Sequence, residues 1–164
     1  MPFFTLVTLT ALTSPARAHD PYEAFHSAAL SRDRLEMIIT MSPTTALRLI
    51  DPAARIPRLT PENFHTHRSA LLREAAVLFR LTSTGRPLPA QSTAVELTDE
   101  NDVVFRVTYP RPGPGALAFS ATYLARLGDG YGGLFEVTDG PKQKNLGWEQ
   151  LLWSRPDFEI ALPP

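Results

Sequence analysis

The chain contains no cysteine in its 164 residues. That excludes disulfides, thiolate-ligated zinc and thiol catalysis, and it leaves no thiol to carry a lipid anchor. Long apolar runs are also missing. Beyond the first dozen residues no stretch approaches the ~20 apolar residues of a membrane span. Charge is not skewed to one sign either. Lys and Arg number 16, Asp and Glu 17, and they are interspersed, for a net charge of −1. No basic stripe points to nucleic acid or an anionic membrane surface. Catalytic signatures are absent as well: there is no G-x-S-x-G, no H-E-x-x-H and no paired-carboxylate motif. Ser, His and Asp occur without a pattern that makes a triad, so the chain reads as a non-enzyme.

What is present begins at the N-terminus. Residues 3–12, FFTLVTLTAL, form an apolar run of the length of a signal h-region. No Lys or Arg precedes it. Residues 13–18 follow as a short segment broken by Pro15, with small residues at Ala16 and Ala18. This is an A-x-A cleavage pattern. The expected organisation is a signal peptide over 1–18 and one exported domain over 19–164, periplasmic or secreted, with no transmembrane segment in the mature chain. Cleavage after Ala18 makes His19 the new N-terminus.

The 16 prolines are about twice the usual share. They sit mainly at segment ends, which favours a loop-rich β fold over a helical bundle. Residues 22–30 leave strand and helix open. Leu35, Met37, Ile39 and Met41 alternate with Glu36, Ile38 and Thr40, which predicts a strand over 34–42. Ser42 caps and Pro43 opens a short helix that stops before Pro52. Thr60-Pro61-Glu62 starts a second helix ending near Ala75, with Phe64, His67, Leu71 and Ala75 on one face. Strands are expected over 76–83, 93–97, 103–109, 117–124, 134–137, 146–152 and 158–162. The predicted fold is a mainly-β, antiparallel, Ig-like β-sandwich of about eight strands with two short helices.

Four histidines offer metal chemistry: His19, His26, His65 and His67. An N-terminal His supplies a primary amine and an imidazole. With one more imidazole this makes a three-nitrogen set suited to Cu(II), and binding weakens at acid pH because the amine must lose its proton. His26 is seven residues from His19. On a strand the two face opposite sides, and on a helix they lie about 10 Å apart along the axis. His65 and His67 project about 200° apart on a helix, so at most one reaches a shared metal. His67 lies on the packed face and His65 is the freer one. The expected metal residues are therefore His19, His65 and His67, with copper as the ion.

Other motifs carry less. Gly128-Asp-Gly-Tyr-Gly-Gly matches G-x-G-x-x-G in spelling, but Leu134-Phe-Glu-Val-Thr after it reads as a strand where a dinucleotide site needs a helix. Asp99-Glu100-Asn101-Asp102 lacks EF-hand spacing and reads as a turn. Trp148 and Trp153 are expected in core or edge packing, with a carbohydrate platform as the alternative.

His19-Asp20-Pro21, Arg34-Leu35-Glu36-Met37, Leu78-Phe79-Arg80-Leu81 with the Gly85 turn, residues 104–110 (VFRVTYP) and residues 158–163 (FEIALP) carry a resemblance. Their arrangement is similar to the extracytoplasmic N-terminal domain of HupE/UreJ-type membrane proteins, a nickel/cobalt permease-like group. The chain stops at Pro164, where that family enters its membrane helices, so transport does not carry over. The resemblance implies an exported β-sandwich starting near His19 and connected to metal handling. CopC-type periplasmic copper proteins are similar more loosely, through His19 alone. Two functions follow as expectations: a copper-binding module using His19, or a module that binds an envelope protein without metal. A secreted enzyme with an unrecognised surface site is a third class.

Overall fold

The computed structural model describes residues 22–142 and 144–162. Among them ten strands form two sheets. The larger sheet runs in the order β5 (Ser92–Leu97), β6 (Val103–Pro110), β2 (Arg34–Met41), β1 (Glu23–Leu30), β8 (Gly132–Asp139) and β9 (Lys144–Leu152). The smaller has β10 (Asp157–Leu162), β7 (Gly115–Ser120), β3 (Arg80–Ser83) and β4 (Arg86–Pro87). The chain is the mainly-β, antiparallel-dominated sandwich its turn spacing predicts. One pairing departs from that pattern: β1 and β8 are parallel, with His26 opposite Phe135.

Period-two alternation builds the core. Leu35, Met37, Ile39 and Met41 of β2 are buried, as are Phe105, Val107 and Tyr109 of β6. The two sheets meet through aromatic rings, with Phe135 of β8 edge-on to Phe119 of β7 at 4.8 Å between centroids and to Phe158 of β10 at 5.6 Å. The smaller sheet does not cover the whole inner face. At the β5–β6 side a helix takes over: α2 (Pro61–Ala75) packs on both strands and buries Leu71 and Ala75. Next to it lies α1 (Pro43–Ile50), where the Ser42 hydroxyl accepts from the Thr45 N–H at 3.2 Å, as a Ser-Pro start predicts. At the start of α2 the Asn63 side-chain oxygen accepts from the Thr60 N–H at 2.8 Å.

Three segments differ from expectation. Residues 22–30, left open by the sequence, hold β1. Its inner face is Ala24, His26, Ala28 and Leu30, too small and polar to give a strong apolar period. The strand expected over 76–83 begins only at Arg80. The Val77 N–H donates back to Glu74, and the Thr122 hydroxyl donates to the carbonyls of Val77 and Leu78, so these groups are engaged outside any ladder. The strand expected over 117–124 ends at Ser120, and α3 (Thr122–Leu127) follows as a third helix. Tyr123 and Leu124 are both fully buried, whereas consecutive residues of a strand point to opposite faces.

Candidate functional site

Of the residues expected to ligate metal, His19 lies outside the described residues. His65 and His67 both sit on α2. His65 is exposed, with its Nε2 3.3 Å from the Thr66 hydroxyl, and His67 is half-buried. The helix separates them as the spacing predicts. Among the described residues no three His, Asp or Glu side chains form a group able to hold a metal ion. The chain path does bring two of the relevant segments to one end of the sandwich. Ala24 at the start of β1 pairs with Met41 at the end of β2. Pro43 follows two residues later, and its carbonyl accepts from the Leu59 N–H at 3.5 Å, just before α2 begins.

His26 serves the core. It is 4 % exposed. Nδ1 lies 2.9 Å from the Leu134 carbonyl, which can only accept, so the proton is on Nδ1. Nε2 therefore accepts from the Tyr123 hydroxyl at 2.5 Å. Phe79 and Phe135 close on the ring edge-to-face at 5.3 and 5.9 Å. Burial pushes the imidazole down to about 4, against a smaller opposing effect of the Leu134 carbonyl. It is neutral at pH 7, and neither nitrogen is left for a metal. Sequence spacing had set His26 aside for its distance from His19; its core role was not visible there.

Gly133 makes this seat possible. A Cβ there would lie 1.8 Å from the Ala24 carbonyl oxygen and 2.9 Å from the His26 ring. The glycine-rich segment follows helix α3 and enters strand β8, the reverse of the dinucleotide order. Its Gly128 and Gly130 take φ of 88° and 89° in the connection. Its glycines therefore serve a turn and a close strand approach.

The other face of β8 is different. Register places Leu134 between Phe25 of β1 and Gln150 of β9, and Glu136 beside Trp148. Trp148 is 64 % exposed, Leu134 43 % and Leu152 37 %, and Trp153 just past β9 is 45 % exposed. Neither tryptophan is a core residue. Trp148 faces outward because Gly147 and Leu151 take the inner positions of β9, where a Cβ on Gly147 would meet Ile160. Beside these apolar groups lies a notch of about 260 Å³, between Tyr22 and Glu23 on one side and Gln150 and Leu152 on the other, over Gly132. The Glu23 side chain is exposed at its edge. Glu136 is held by the Asn145 amide at 2.6 Å. The result is an aromatic and aliphatic surface with carboxylates set into it. No protein-family model matches the chain, and no curated protein matches it.

Proposed function

We propose that this chain is an exported, non-enzymatic β-sandwich of the cell envelope that docks a partner protein on the outer face of β1, β8 and β9. The partner segment is apolar and carries basic residues. Export rests on the apolar run and the Ala16-Arg17-Ala18 junction. The observation that carries docking is the exposure of Leu134, Trp148 and Leu152 on one sheet face, with a notch lined by Leu152 and Glu23. Exposed apolar groups gathered on one face mark interaction surfaces, tryptophan is the residue type most enriched among binding hot spots, and the carboxylates select a cationic partner over an anionic one. The test is a titration with two model peptides, one alternating Leu and Lys and one alternating Leu and Glu, followed by NMR. Saturable shifts around Leu134 and Trp148 with the Lys peptide only, lost in Trp148→Ala, are the expected result. Equal response to both peptides, or none to either, overturns it.

A second reading has a specific observation in its favour. The start of β1 and the start of α2 share one end of the sandwich. Three residues, from Tyr22 back to His19, reach about 10 Å. A processed His19 amine and imidazole with His65 or His67 then supplies nitrogen ligands for Cu(II). On this reading the protein cleaved after Ala18 binds one Cu(II), and a version keeping one residue before His19 does not. Equal binding by both removes His19 from the site.

A further inference from the structure

At the far end of α2, away from the outer sheet face, a cleft of about 390 Å³ opens between the helix end, β3 and residues 87–90. Its walls are apolar: Ala76, Val77, Phe79, Leu81 and Leu88. Tyr109 of β6 lines it from the core side and is 1 % exposed. Among the described residues the Tyr109 hydroxyl has no hydrogen-bond partner. A buried polar group left unpaired is unfavourable and rare enough to need a reason. Thr122, which also lines the cleft, already donates its hydroxyl to the carbonyls of Val77 and Leu78. Val77 is 54 % exposed at the lip, so the cleft is open to entry.

We infer that this cleft binds a small, mostly apolar molecule bearing one neutral hydrogen-bond acceptor, such as a carbonyl oxygen, which the Tyr109 hydroxyl would meet. The volume lies in the range of small-molecule sites, and the make-up is theirs too: apolar walls with one placed polar group. Burial pushes the Tyr109 hydroxyl up, so it stays protonated and acts as a donor. The Tyr109 hydroxyl offers one hydrogen bond and no charge, which matches a neutral acceptor. Arg80 lies at the rim that joins this cleft to the neighbouring surface, where it excludes cationic ligands.

Two probes of one shape test this, 2-acetylnaphthalene and 2-ethylnaphthalene, which differ in the carbonyl oxygen. The wild-type chain is expected to bind the ketone about tenfold more tightly, the worth of one hydrogen bond to an otherwise unpaired group. In Tyr109→Phe the two probes bind alike. In Val77→Asp, a change at an exposed lip position that leaves the core intact, both bind at least tenfold more weakly. Equal binding of the two probes by the wild-type protein, no binding of either, or a preference that survives in Tyr109→Phe overturns the inference.

Discussion

Two tyrosines lie in the same core under opposite conditions. Tyr123 of α3 is fully buried and its hydroxyl donates to His26. Tyr109 of β6 is buried to the same degree, and its hydroxyl has no partner among the described residues. Burial raises both hydroxyls above the ordinary phenol range, so both are protonated at neutral pH. The difference lies in what surrounds them. Around Tyr123 every polar atom is used: His26 takes the hydroxyl proton and gives its own to Leu134. Such a satisfied network fixes one arrangement of the strands. Around Tyr109 the packing leaves a cleft. One tyrosine completes the fold, and the other marks where the fold is incomplete without something else.

The sharpest way to break the contrast is to unseat His26. Gly133→Ala drives a methyl into the Ala24 carbonyl, and the β1–β8 pair must separate. A loss of about 3 kcal/mol or more is expected, read from urea denaturation. Acid does nearly as much without a mutation. The unfolded His26 takes a proton below about pH 6.5, the folded one only below about 4. Its contribution is complete above about 6.5, declines as the pH falls between those values, and changes no further below about 4. The full decline is about 3 kcal/mol. Urea midpoints measured across that range would show a slope that His26→Asn lacks. Tyr123→Phe leaves the His26 Nε2 buried without a donor and is expected to lose about 2 kcal/mol. Tyr109→Phe removes a group with no partner among the described residues, so the expected change is zero to about 1 kcal/mol of added stability. A loss of stability there as large as for Tyr123→Phe would erase the distinction between the two. Trp148→Ala is expected to alter stability by less than about 0.5 kcal/mol, while abolishing the docking proposed for the outer sheet face.

Much of the sandwich was legible because its signals are local. Leu35, Met37, Ile39 and Met41 announce β2 by their alternation, and Ser42-Pro43 and Thr60-Pro61 announce the two longer helices by their caps. β1 was not legible, since its inward residues include two alanines and a histidine, and its place is fixed by neighbours on both sides. The helix α3 was hidden in an apolar stretch short enough to pass for the end of a strand. Among the site residues, the Thr60-Pro61 start was enough to place His65 and His67 on one helix. Tyr109 gave no signal, because the same period that predicts a core strand makes it look like any other inward residue. Whether a hydroxyl finds a partner is decided by segments far along the chain.

The parallel pairing of β1 with β8 sets an order of assembly. His26 and Leu134, joined by a hydrogen bond, stand 108 residues apart. A growing chain can form the β1–β2 hairpin early, yet one side of β1 stays bare until residues 132–139 have been made. Pairings of such sequence separation are slow to form. A polypeptide of this topology can complete this sheet only after residues 132–139 have been made. That delay suits a chain proposed to cross a membrane before it folds.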